Sequence, residues 1–147
     1  MKTEDPSDVS SEDRKILLEQ WRTCVEMANH ISSRRDTMNS LFITINLSLI
    51  TAISLIWQVK SLAIAVSGIV VCFLWHRLIG YYRSLNKSKY EVINSIEEML
   101  PAQPFKDEWA IFEKTKSKEG TNLEKNLPRL FIVLYLVLSA VMVCGWA

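Results

Sequence analysis

Apolar positions along this chain follow helical spacing, and in three places they merge into unbroken blocks. Leu17, Trp21, Cys24, Ala28, Ile31, Met38, Phe42 and Ile45 alternate steps of four and three, with Arg35 at the one missing position. This heptad seam, with no Pro or Gly from Ser10 to Lys60, predicts one long helix that starts in a charged region and runs into an apolar one. Ser10 is a suitable N-cap, and Glu12 and Asp13 fall in the first turn, where the helix dipole favours negative charge. The first block, Leu41 to Trp57, just reaches across a hydrocarbon layer of roughly 30 Å at about 1.5 Å per residue. Gln58 to Lys60 form a short polar break, and the second block, Ser61 to Trp75, follows at once. The two blocks are therefore expected to form a transmembrane hairpin, because a single bent helix would leave Gln58 and Lys60 in lipid.

Past the second block, Trp75, Leu78, Tyr82, Leu85, Val92, Ile96 and Leu100 continue a three-four spacing, with Lys89 at the interrupted step. That helix is expected to stop at Pro101, which lacks an N–H and restricts Leu100. Lys106 to Lys116 reads as a short amphipathic helix with Trp109 and Phe112 facing inward, followed by a loop to Gly120. Thr121 and Glu124 have capping-box spacing. The third block, Leu127 to Trp146, is nearly charge-free, and Pro128 at its entry suits a first turn. The expected organisation is a disordered tail (1–9), a cytoplasmic helix continuous with the first span (10–40), a transmembrane hairpin (41–75), a cytoplasmic helical region (76–126) and a third transmembrane helix (127–147).

Composition supports a membrane setting. The blocks are apolar all round, and a chain of 147 residues cannot build an interior large enough to hide three such helices. Lys and Arg set the orientation. The hairpin tip carries only Lys60, whereas Lys2, Arg14, Lys15, Arg22, Arg34 and Arg35 precede the first span and nearly all the rest follow the second. The N-terminus is accordingly expected inside and the C-terminus outside. Trp57, Trp75 and Trp146 fall at span ends, where interfacial tryptophans sit. The polar N-terminal stretch does not have the form of a cleaved secretory signal. A net charge of +1 predicts no direct nucleic-acid binding. Cys24, Cys72 and Cys144 have neither CxxC nor Cys/His spacing, so no metal site or disulfide framework is expected.

The first span is unusually polar. Asn39, Thr44, Asn46, Ser48, Thr51 and Ser54 occupy rather more than half of its circumference, opposite Phe42, Ile45, Leu49, Ala52 and Ile53. A buried amide without a partner is costly, so this face should meet another helix or water. Packing between helices through small polar residues and the lining of an opening in an oligomer both fit. Arg34 and Arg35 lie just below this span. Arg35 occupies a seam position and predicts an ion pair with a carboxylate on another helix, the candidates being Glu97, Glu98, Glu108 and Glu124. His76-Arg77, Tyr82-Arg83, Asn86 and Lys89 form a polar stripe below the second span, and these residues with Trp109 complete a candidate structural network. Neither His30 nor His76 follows an Arg by five positions, which removes one class of helical ribonuclease. No phosphate-binding loop, His–carboxylate cluster or activated nucleophile is present in the sequence, so no enzyme activity, cofactor or metal is expected.

Several fragments resemble a known family. Ser32-Ser33-Arg34-Arg35 with Asn39 and Phe42-Ile43-Thr44-Ile45-Asn46 is similar to the RipA-like octameric membrane proteins of bacteria. So are Trp75-x-Arg77-Leu78-Ile79 with Tyr82-Arg83, Leu85-Asn86 and Lys89, then Glu97-x-x-Leu100-Pro101, Glu108-Trp109 and Glu124-x-x-x-Pro128. The similarity covers about Leu17 to Tyr135. It implies a three-span homo-octamer of the bacterial inner membrane with a cytoplasmic helical region, and it implies no chemistry. The expectation is an all-α membrane protein, with three transmembrane helices and long cytoplasmic helical extensions, that assembles into a homo-oligomeric ring with itself and with membrane lipids. That ring is expected to act as a pore or membrane-perturbing effector, extended by analogy of architecture to anti-phage defence. The alternative is a non-conducting scaffold that presents cytoplasmic helices to a partner protein.

Overall fold

The computed structural model describes residues 11–114 and 119–145, and the side chains of residues 12–111 and 124–145. Among the described residues all regular structure is helical: α1 (Ser11–Ile56), α2 (Leu62–Glu97), α3 (Pro104–Lys114) and α4 (Glu119–Cys144), with a single 3-10 turn (Val59–Ser61) between α1 and α2. The expected tail, the Ser10 cap, the inward Phe112, the Thr121 side chain and Trp146 lie outside the described residues. Three helices are long and apolar enough to cross a membrane: α1, α2 together with the turn before it, and α4 from Glu124 onward. The chain divides into two compact units, one of residues 11–33 and 82–114, the other of residues 34–81 and 119–145.

The second unit holds the apolar blocks. Within it α1 and α2 are antiparallel, because Asn39 meets Trp75 while Asn46, further along α1, meets Cys72, which is earlier on α2. In contrast, α4 runs parallel to α1: Arg35 meets Glu124 and Asn46 meets Tyr135. The core is Ile53, Ala65, Cys72, Trp75, Ile79, Phe131, Tyr135 and Met142. Trp75 stacks on Phe42, with centroids 5.6 Å apart and planes at 4°, and tilts against Phe131 at 6.1 Å. Pairs of this kind add about 0.5–1.5 kcal/mol beyond their area. Trp75 is thus a core residue, 1 % exposed, and not the interfacial tryptophan its place at a block end suggested.

The hairpin tip is tight. The Trp57 N–H donates to Ile53 O at 2.9 Å, Trp57 adopts φ 34°, Gln58 is extended, and the Ser61 N–H donates to Gln58 O at 2.8 Å to start the return. A positive φ at a bulky residue is uncommon, since its Cβ crowds the backbone and glycine is favoured there.

In the first unit, α1 residues 11–33 and α2 residues 82–97 are again antiparallel: Trp21 reaches Glu97, and Ser32 reaches Asn86. Here the predicted stripe forms the edge of the buried face of α2 and not its centre: Tyr82, Leu85, Lys89, Ile96 and Leu100 are half-buried. Ile93 and Glu97 are fully enclosed and Asn86 is half-buried, whereas Val92 is exposed. The centre of the buried face lies one residue along from the apolar spacing: Glu97 turns inward to partners on α1 and α3, and Asn86 turns in with its Nδ2 bonded to Ser32 and its Oδ1 unbonded among the described residues. The helix ends at Glu97, with turn bonds from Met99 to Ile96 O and Leu100 to Glu97 O, before Pro101 is reached. α3 begins at Pro104, whose fixed φ suits a first turn. Phe105, not Trp109, faces inward, packing at 5.8 Å on both Trp21 and Tyr90, while Trp109 is 62 % exposed. Because α4 already starts at Glu119, Thr121 is not an N-cap and Pro128 lies inside the helix, where it withholds the N–H that Glu124 O would accept.

Candidate functional site

The polar arc of α1 separates into two faces with different roles. Asn39 and Asn46 turn toward α2 and α4. Asn46 is completely enclosed: its Nδ2 donates to Phe42 O at 2.8 Å, and its Oδ1 accepts from the Tyr135 hydroxyl at 3.0 Å and from the Cys72 thiol at 3.1 Å. Asn39 Oδ1 accepts the Trp75 indole N–H at 2.9 Å. These two amides bring three helices into one register, and each buried polar atom in the set has a partner, which is the condition for keeping such groups among hydrocarbon. Gly68 makes the arrangement possible. A Cβ at that position would lie 2.2 Å from Tyr135 Cζ, so only glycine lets the ring lie flat on α2.

Thr44, Ser48 and Thr51 point the other way and are exposed, together with Ser40 and Ser54. Every one of these hydroxyls donates to the carbonyl four residues back, at 2.8–3.1 Å. With Leu47, Ala52 and Leu55, the middle three line a shallow open recess. The back-bonded hydroxyl leaves no donor dangling, so the face tolerates an apolar neighbour, yet its oxygens keep lone pairs that water can use. This is also the span its own chain covers least: 11 % of its most apolar window is buried, against 28 % for α2 and 22 % for α4.

At the lower end of the same unit, Arg35 Nη2 lies 3.5 Å from Glu124 Oε1, and both side chains are partly shielded. Asp36 flanks the guanidinium at 3.9 Å. Arg34 and Arg77 are exposed, while His76 is half-buried with Nδ1 enclosed and unbonded among the described residues.

In the first unit Glu97 is the organising residue. Its buried carboxylate accepts the Trp21 indole N–H at 3.2 Å and the Phe105 and Lys106 amides at 3.3 and 3.4 Å. Those amides belong to the first turn of α3, where backbone N–H groups have no helical acceptor and the dipole favours an anion. Asn86 Nδ2 donates to Ser32 Oγ at 3.4 Å, and the Lys89 ammonium lies 4.0 Å from the Met27 sulfur. Tyr82 is half-buried, and Arg83 and Glu108 are exposed. The predicted network is therefore several local sets: Arg35 with Glu124, Asn86 with Ser32, and Glu97 with the start of α3. Sequence reasoning missed Trp21, Ser32, Cys72 and Tyr135 as polar partners, and of these only Trp21 lay on a helical seam that the spacing had picked out. Among the described residues no three His, Cys, Asp or Glu side chains converge as metal ligands would.

Comparison with curated proteins and with solved structures gives no match. A family model, described as the octameric membrane protein family (8xMP), matches residues 18–144, a stretch that takes in all three apolar helices and both polar faces of α1. Its range and the three membrane-crossing helices agree with the fold, and the chain is a multi-pass membrane protein that belongs to the octameric membrane protein family.

Proposed function

We propose that this protein works as a ring of eight copies in the bacterial inner membrane, with the hydroxyl face of α1 turned toward the centre as the wall of a pore. The observation that carries the reading is a mismatch: the span richest in polar side chains is the one its own chain covers least, and its uncovered face is the one with Thr44, Ser48 and Thr51. In this reading other copies, and water at the ring centre, cover it. One copy has too few helices to enclose a path, so conduction belongs to the assembly, and copies sharing one membrane orientation close most simply as a ring. The asymmetry of Lys and Arg orients the N-terminus toward the cytoplasm and the hairpin tip outward. The ring is non-catalytic in this reading. An opening that dissipates ion gradients would suit a defence effector, an extension by architectural analogy.

The test is reconstitution of the purified octamer for single-channel recording, with the triple substitution Thr44→Leu, Ser48→Leu and Thr51→Leu beside it. Discrete currents from the unaltered ring are expected, with the triple variant still octameric and its conductance reduced at least tenfold. A ring that never conducts would replace the pore with the scaffold reading, in which the extramembrane helices receive a partner protein.

A further inference from the structure

The unit formed by residues 11–33 and 82–114 is a helix pair with a lid on one side. Trp21 on α1 and Tyr90 and Glu97 on α2 all meet the start of α3. Successive helical residues turn by about 100°, so Val92, two positions from Tyr90 and five from Glu97, points away from α3. Leu85 lies seven residues before Val92, a step of two turns that keeps both on one side of α2, and Met99 follows in the turn after the helix. Met27 joins them from α1, since its sulfur meets Lys89 on this side. Met27, Val92 and Met99 are 45, 49 and 50 % exposed, and Leu85 at the edge of the patch is half-buried. Lipid does not cover the patch: Glu19, Arg22 and Glu26 on α1 and Lys87, Glu91 and Glu98 around the end of α2 keep this unit in water.

We infer that this patch, Met27, Val92 and Met99 with Leu85 at its edge, is the extramembrane contact between neighbouring copies of the octamer. The occupant is a second copy for three reasons. The family assembles eightfold, so neighbours of like orientation flank every chain. α1 and α2 each continue without interruption from the spans into this unit, so adjacent copies bring these helices side by side. Val92, Met27 and Met99 form an exposed apolar patch edged by charges, the dry-centre and polar-rim layout of a protein–protein contact. The inference rests on the octamer and is independent of whether the ring conducts.

Two measurements on the full chain test it. With p-benzoylphenylalanine at Val92 or at Met27, irradiation of membranes is expected to yield a covalent product of twice the 16.9 kDa chain mass. The double substitution Leu85→Glu and Val92→Glu is expected to cut the octamer fraction in native mass measurements at least tenfold, with helical content by circular dichroism unchanged. Crosslinks to lipid or to a different protein, with the octamer of the double variant intact, would overturn the assignment. If the double variant does not fold, the crosslinked mass alone decides. Failure of the pore reading looks different: an intact ring, crosslinked through Val92, that passes no current.

Discussion

Asn46 shows how much of this fold turns on single side chains. Its Oδ1 holds the Tyr135 hydroxyl and the Cys72 thiol. Asn46→Leu therefore strands the Cys72 thiol and leaves the Tyr135 hydroxyl only its longer bond to the residue 46 carbonyl, at 3.3 Å, for a cost of about 1–3 kcal/mol. Tyr135→Phe in the same background should recover part of that loss, because it removes the hydroxyl that the substitution leaves poorly satisfied. A double-mutant cycle on unfolding in detergent measures it, and strictly additive losses would sink the claim that the pair acts together. Gly68→Ala should cost about 1–3 kcal/mol by forcing the Tyr135 ring off α2, read as a lower midpoint in the same assay. The sequence displayed the polarity of the first span but not its division, since Asn39, Thr44, Asn46, Ser48 and Thr51 all read alike until α2 and α4 occupy one side. Tyr135 is 89 positions from Asn46, beyond the reach of any periodicity.

At the scale of elements, the apolar blocks were legible because their length and unbroken character leave few alternatives, and the Gln58–Lys60 break reads as a turn for the same reason. The face of α2 was not legible. Three-four spacing admits two neighbouring stripes, and apolar counting chose Leu85 and Val92 over Asn86, Ile93 and Glu97. What decided it is polar complementarity: Glu97 goes inward because the Trp21 indole and the open amides of α3 are waiting there. The same fact makes α3 dependent on one carboxylate. Glu97→Leu removes charge-assisted bonds worth about 1.5–3 kcal/mol each in comparable settings. Hydrogen exchange at the Phe105 and Lys106 amides should accelerate by at least tenfold while exchange in the spans stays unchanged. Equal acceleration throughout would mean that Glu97 supports the whole chain and not α3.

For the whole molecule, the parallel course of α1 and α4 in the second unit accords with three crossings and with termini on opposite sides of the membrane. A cysteine placed by Lys60→Cys, with the native cysteines replaced, should react with an impermeant maleimide added to the outside of intact cells, and Glu12→Cys should not. Reversed labelling would invert the orientation and with it the proposed direction of the pore. The step from one chain to an assembly was partly readable, because a polar helix in lipid implies company. The geometry adds which side of that helix is already taken.

The short hairpin tip bears on how such a chain enters a membrane at all. In the proposed orientation Lys60 is the lone charge among the described residues that has to pass through the hydrocarbon. Carrying one ammonium across costs about 2.5–3.5 kcal/mol on insertion scales, far less than two flanking blocks of apolar residues return. A tip of this size lets α1 and α2 enter together as a preformed pair, with no folded segment to be threaded across. Lengthening it with further lysines should therefore impair biogenesis before it impairs the finished ring.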